Sequence, residues 1–298
     1  MQDTEATFDG AFDGRVAVVT GTANPRGIGI AIARRFAGLG CKLVLADLNG
    51  EGAEARADEL RAGGSDAIAV RTDMGDHSSV VALADATYDR FGATHLLVLN
   101  HVAPTGGPGH GLLNPDPTSW ELHARVNLLG TVYGIKAFVP RMVDAREHGH
   151  VLATTSGAGG TGTMYGNGPY ATTKAAIVSL MECLYGQLRD AGADIHAGLI
   201  FPGVTNTFES PERTQQTVAF MRANGLPATF TEPDEVAQNA VDAIRSDSFW
   251  ARPSIDDERH RETVEWEAQI YRTRAETLIA RAQPDPYLWG PSSNLLAR

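Results

Sequence analysis

A doubly wound α/β fold, with a mostly parallel sheet covered by helices on both faces, is predicted by three observations. Short apolar, β-branched runs alternate with amphipathic stretches of helix length, the pattern of repeated βα units. The runs are apolar on both faces, as strands of a sheet covered twice must be. No repeat, linker or shift of composition divides the 298 residues, so they read as one domain of the size at which single cores stop growing, roughly 250–300 residues.

The first strand is RVAVVT from Arg15, and a glycine-rich turn leads from it into the helix IGIAIARRFAGLG. KLVLAD from Lys42 precedes the helix GAEARADELRAGG, and AIAVRTD from Ala67 precedes SSVVALADATYDRFG. HLLVLN from His95 is followed by a long loop rich in glycine and proline, then by one helical stretch, WELHARVNLLGTVYGIKAFVPRMV. HVLATTS from His150 leads to YATTKAAIVSLMECLYGQLRDAG, and IHAGLIFPG from Ile195 is the sixth strand. Beyond Pro202 the pattern loosens. Residues 206–230 carry prolines, Gly225 and short polar stretches, which reads as a lid over the C-terminal edge of the sheet, where ligands bind in such folds. A capped helix, TEPDEVAQNAVDAIRS, and a last strand at FWARP follow. From Asp256 a long helix is expected, with Val264, Ala268, Tyr271, Ala275, Leu278 and Ala282 on one apolar face. That face covers the chain's own core, a partner subunit or the substrate pocket.

With 43% hydrophobic and 20% charged residues the chain is globular rather than disordered. Its net charge of −11 repels phosphate backbones, so neither nucleic acid nor an anionic membrane surface is an expected partner. Cys41 and Cys183 form no CxxC pair or disulfide framework and read as buried, reduced thiols. The N-terminus has no basic and apolar leader, and no apolar run approaches the roughly 20 residues of a membrane helix; a cytoplasmic location is expected. Nine histidines include His101, His110, His148 and His150, but form no HExxH, so no metal is expected.

The first strand ends in TGTANPRGIG. Gly21, Gly27, Ile28 and Gly29 suit a phosphate-binding turn, because glycines let the backbone approach a pyrophosphate and the helix behind offers unpaired N–H groups. Asp47 ends the second strand, 18 residues after Gly29, close to the spacing at which a carboxylate receives the adenosine ribose hydroxyls and repels a 2′-phosphate. The plainer alternative is a helix N-cap. Arg26 argues the other way, since a cation there could pair with a 2′-phosphate. Asp47 acts at the discriminating atom, so NAD is favoured over NADP.

Tyr170 and Lys174 stand in PYATTK, four residues apart on one helical face. A phenol near pKa about 10 is a poor base at neutrality, so a neighbouring ammonium that stabilises phenolate is what acid–base work requires. The chain has only three lysines, Lys42, Lys136 and Lys174, which makes the pairing specific. Ser156 follows the fifth strand, where substrate-facing groups gather, and Thr155 competes for the same role. Asn127 lies mid-helix among Val126, Leu128 and Leu129, which suggests burial.

Glycine turn, strand-end serine, YxxxK and a following PG together make residues 12–251 resemble the short-chain dehydrogenase/reductase family in its single-domain Rossmann form. The resemblance implies a seven-stranded doubly wound sheet, here with a C-terminal helical extension over residues 256–298. It implies Tyr170 as the acid–base residue, with Lys174 lowering its pKa and holding the nicotinamide ribose. Ser156 would steady the substrate oxygen and Asn127 would support a water-linked proton relay. Leu48 would join Asp47 at the adenosine, Asp73 and Met74 would flank the adenine, and Asn100 would line the cleft. Pro202, Gly203, Thr205 and Thr207 would hold the carboxamide. Three departures stand out: two extra residues in the glycine turn, Leu99-Asn100-His101-Val102 where the family has Asn-Asn-Ala-Gly, and 14 residues from Ser156 to Tyr170 rather than one fewer.

The expected reaction is hydride transfer between a nicotinamide cofactor and a bulky, apolar secondary alcohol or ketone, with Met164, Tyr165, Phe208 and Phe220 as pocket candidates. The alternatives are an NADP-dependent ketone reductase of the same fold and a non-catalytic dinucleotide-sensing protein. A homodimer or homotetramer is expected, because the helices holding Asn127 and Tyr170 are apolar well around their circumference.

Overall fold

The structure, a computed structural model, describes residues 12–104, 112–113, 115–157, 167–208, 210–223, 230–253 and 256–280. Seven strands, β1 (Val16–Thr20), β2 (Lys42–Asp47), β3 (Ala67–Arg71), β4 (Leu96–Leu99), β5 (Gly149–Thr154), β6 (Ile195–Ile200) and β7 (Trp250–Ala251), form one parallel sheet. Its order is β3-β2-β1-β4-β5-β6-β7. The winding reverses between β1 and β4, and a crevice opens there beyond the strand C-termini.

Side-chain alternation explains the layers. In β1, Ala17 and Val19 face one core and Val18 the other, as a strand of period two requires. The first core is closed by α1 (Ile28–Gly38), α2 (Gly50–Ala62) and α8 (Pro233–Arg245), and the second by α3 (His77–Phe91), α5 (Gly130–Ala145) and α6 (Gly168–Asp190). Local capping fixes where several helices start. The Asn49 side chain accepts the Gly52 N–H at 3.0 Å and the Asp76 side chain the Ser78 N–H at 2.9 Å. Before α4 (Pro117–His123), Asp116 accepts the Thr118 N–H at 3.0 Å. The residue capping α2 is thus Asn49 and not Asp47, whose carboxylate stays at the strand end.

Each strand read from the sequence is present, but the helices depart from expectation in three places. The stretch after β4 is not one helix: α4 passes into a π-helical turn, Ala124–Leu129, before α5 begins. The segment expected to form a lid contains a helix, α7 (Pro211–Ala223), that its prolines concealed, since proline at a first helical position starts a helix rather than breaking it. The two ends of that segment are pinned where Thr205 and Thr231 form a bridge, with Asn206 N–H donating to Thr231 O and Thr231 N–H to Val204 O, each at 3.0 Å.

The last helix, α9 (Arg261–Ala280), buries Glu267 and Ile270 at its covered side, with His260 buried just before it, while Tyr271 and Ala275 face solvent. The expected apolar stripe was displaced because a charged residue belongs to the covered face: Glu267 pairs with Arg252 at 2.7 Å, just past β7. The side chains of Leu278 and Ala282 lie outside the described residues. Cys41 is buried as expected, its thiol pushed up to about 12 chiefly by desolvation, but Cys183 is exposed on α6. Among the described residues no helix is long and apolar enough to cross a membrane.

Candidate active site

The C-terminal ends of the strands border a cleft of about 760 Å³. At its floor β1 ends in Gly21, which has φ +74°, a conformation glycine adopts without cost; its N–H donates to Ala46 O at 2.8 Å. Gly27 precedes α1 with no side-chain cap and no acidic residue in the first turn, so the helix N-terminus stays open to an anion. Gly29 brings that helix onto the turn: a Cβ there would lie 2.3 Å from Gly21 O and 2.9 Å from Asn100 Nδ2. That close approach sets the open N-terminus of α1 directly beside the turn, which fits a pyrophosphate held by backbone.

Most of the sequence-predicted cofactor residues meet here. Gly21, Gly27, Ile28, Asp47, Leu48, Asp73, Met74, Asn100, Pro202, Gly203, Thr205 and Thr207 all line the cleft. Asp47 accepts the Ala23 N–H at 2.9 Å and the Asn49 N–H at 3.0 Å, which orients its carboxylate and leaves further lone pairs for a ligand. Arg26 is exposed and is not among the lining residues; its N–H donates to Asn24 Oδ1 at 3.0 Å. Asn100 ties two strand ends together, donating from Nδ2 to Thr20 O at 3.3 Å and accepting the Thr154 hydroxyl at 2.9 Å.

Ser156, just past β5, and Tyr170 and Lys174, in the first turns of α6, share one wall of the cleft. Lys174 is buried, donates from Nζ to Thr154 O at 2.7 Å, and places Nζ 5.8 Å from the centre of the Tyr170 ring. Loss of hydration brings this ammonium down to about 8. The Tyr170 phenol is raised, because burial disfavours phenolate more than the hydrogen bond from Ser156 favours it. Desolvation is the first cause of both shifts, and Tyr170 rests in its protonated form. Thr155 does not compete with Ser156, since its hydroxyl donates to Lys174 O at 2.9 Å.

Asn127 is fully buried in the π-helical turn and stands behind the lining. Its Oδ1 accepts the Ala103 N–H at 2.7 Å and its Nδ2 donates to Thr173 Oγ1 at 3.0 Å, so it couples the loop after β4 to α6 beside Lys174. The π turn supplies the register, an irregularity frequent at functional sites. His101 fills the place of the family's alanine: Nδ1 lies 3.0 Å from Thr20 Oγ1, and burial, with the Lys174 charge, brings the ring down to about 3.

A roof over the pocket was among the expectations for the last helix, but other residues form it. Thr263, Trp266 and Glu267 of α9 line the cleft, opposite Leu122 and Val126; the displaced stripe had hidden them. Of the four pocket candidates Phe208 lines the cleft and packs edge-on to Phe230 at 6.3 Å. Met164, Tyr165 and the side chain of Phe220 lie outside the described residues.

The model of a family described as short chain dehydrogenase matches residues 15–218. The chain is similar to a (2S)-[(R)-hydroxy(phenyl)methyl]succinyl-CoA dehydrogenase subunit of Thauera aromatica, 31% identical over 239 residues, or 78% of this chain and 90% of the relative. It is also similar to a 1-deoxy-11-beta-hydroxypentalenate dehydrogenase of Streptomyces avermitilis, 33% identical over 247 residues, or 80% of this chain and 84% of the relative. Among solved structures, a short chain dehydrogenase/reductase from Burkholderia phymatum in complex with NAD superposes with a TM-score of 0.75 at 33% identity, covering 92% of this chain and 98% of that one.

Proposed function

This chain belongs to the short-chain dehydrogenase/reductase family, NAD(P)-dependent oxidoreductases acting on CH–OH groups, and we propose that it interconverts a bulky, apolar secondary alcohol and its ketone, with NAD as the preferred cofactor and Tyr170 as the acid–base residue. The observation that carries the proposal is the meeting of Ser156, Tyr170 and Lys174 on one wall of the cleft, beside the glycine turn.

The nicotinamide supplies or accepts the hydride at the substrate carbon. The protein's own groups handle the oxygen. In the reducing direction the Ser156 hydroxyl hydrogen-bonds the carbonyl oxygen and the protonated Tyr170 phenol gives it a proton as the hydride arrives at carbon. The Lys174 ammonium then stabilises the phenolate left behind, using N–H groups not bonded to Thr154 O. In the oxidising direction the proton returns from the alcohol to Tyr170. Asn127 is a positioning residue, holding the Thr173 side of α6 at fixed distance from the loop after β4. The test is to incubate the protein with bulky secondary alcohols and NAD+ and to follow NADH; a chain that binds cofactor without turning over any of them is a sensor instead.

Asp47 supports the NAD reading because its carboxylate lines the cleft, whereas Arg26 does not. Asp47→Ala is expected to weaken NADH binding about tenfold or more, the worth of a charge-assisted hydrogen bond, and to leave NADPH little changed. Tighter NADPH than NADH binding by the parent protein would overturn the preference.

The apolar lining residues Leu122, Val126, Phe208 and Trp266 support the substrate class, as do the two relatives, whose printed names describe alcohols on bulky carbon skeletons. Trp266→Ala removes a large apolar wall and is expected to raise KM for such alcohols about tenfold or more while kcat changes less, a loss of binding shared by ground and transition states. An unchanged KM would place the substrate elsewhere in the cleft.

A further inference from the structure

At the N-terminal edge of the sheet, the end away from the cleft, three imidazoles meet two carboxylates. His150 and His196 are register partners on β5 and β6, His148 and Asp194 stand just before those strands, and Asp247 lies in the turn between α8 and β7. Ring centres are 5.0 Å apart for His148 and His150, and 5.3 Å apart for each of these with His196. Oδ1 of Asp247 is 3.0 Å from His150 Nε2, 3.7 Å from His196 Nδ1 and 3.9 Å from His148 Nε2.

Hydrogen bonding alone does not account for that convergence, because the second and third spacings are too long for hydrogen bonds. Metal ligation does. Around a tetrahedral zinc ion with bonds of about 2.0–2.1 Å the ligand atoms stand roughly 3.3–3.4 Å apart, and the three spacings bracket that edge. His148 Nδ1 lies 2.8 Å from Asp194 Oδ1, which assigns the proton to Nδ1 and turns the Nε2 lone pair toward Asp247. A carboxylate behind a histidine is the usual outer support of a metal ligand. Asp247 holds φ +51°, a conformation that Asp tolerates better than most residues. His150 is buried, whereas His196 and Asp247 are about one-third exposed, leaving an entry path.

We propose that His148, His150 and Asp247, whose ligand atoms all lie within 4.8 Å of one another, bind one divalent ion of zinc-like chemistry, with Asp194 orienting His148 and His196 standing beside Asp247. Imidazole with carboxylate suits such an ion rather than calcium or magnesium, which prefer all-oxygen shells. The bound ion clamps β5 to the turn that delivers β7, a strand of only two residues. Arg252 follows that strand and holds Glu267 on the roof helix. The site's role is therefore structural, and it is independent of the proposed reaction.

Tag-free, chelator-stripped protein would be titrated with Zn2+ by calorimetry and with Co2+ by visible absorption. The expected result is one ion per chain, the intense absorption of tetrahedral Co2+, and a Tm that rises with Zn2+ concentration. A His148→Gln/His196→Gln double variant, altering two side chains that are not fully buried, is expected to bind at least tenfold more weakly and to lose the Tm rise, while still binding NADH. Cys183→Ser, removing the exposed thiol, is expected to change none of these. Absence of stoichiometric binding, or binding that survives the double variant, overturns the proposal and leaves the cluster as a hydrogen-bonded strut with adventitious ions only.

Discussion

Tyr170→Phe is expected to reduce kcat about 10²–10⁴-fold, the usual worth of positioned general acid–base catalysis, while NADH binding stays within a few-fold of the parent. The substitution removes one oxygen from a ring that keeps its place on α6, above Lys174. It also removes the hydrogen bond between Ser156 and the phenol oxygen. Loss of a proton donor that acts only as the hydride moves lowers kcat and kcat/KM together. A variant with near-parental kcat on any alcohol that the parent oxidises would show that the proton travels by another route, and the acid–base assignment would fall.

A second large effect is expected far from the phenol. Gly29→Ala places a methyl 2.3 Å from the Gly21 carbonyl, where both sides of the contact are backbone and neither can rotate away. Overpacking of this kind costs about 1–3 kcal/mol, and relief by shifting α1 would open the cradle for the pyrophosphate. The expected result is a lowered Tm together with NADH binding weakened about a hundredfold or more, followed by fluorescence titration. Gly38→Ala, at the other end of the same helix, meets nothing within 4 Å and is expected to be neutral or slightly stabilising, since alanine loses less chain entropy than glycine. If both variants behave alike, close approach of the helix to the turn is not what Gly29 provides.

The strands were legible because the central ones bury both faces, so their apolar runs leave little else to fit; β1, β4 and β5 are buried along their whole length. Tyr170 and Lys174 were legible because one helical face brings them together by local geometry alone. The direction of the Tyr170 shift was not, because it depends on desolvation, which is a property of the closed cleft and not of spacing. The π-helical turn left no trace in the pattern either: one extra residue in a turn changes the register of Asn127 without changing the apolar period around it. Trp266 and the covered face of α9 were misread because the helix buries Glu267, a charge that only its partner Arg252, 15 residues earlier, makes tolerable. The histidine cluster escaped for a related reason. His148 and His150 are near neighbours in sequence, but His196 and Asp247 reach them through sheet order and strand register, neither of which short-range motif spacing encodes.

The bridge between Thr205 and Thr231 means that the chain leaves for the segment around α7 and returns from it at one spot, already in register with itself. Whatever is carried between those threonines can differ in length and composition without disturbing the strands that feed them. The architecture thus separates a frame set by strand geometry from a cassette joined to it at a single splice point.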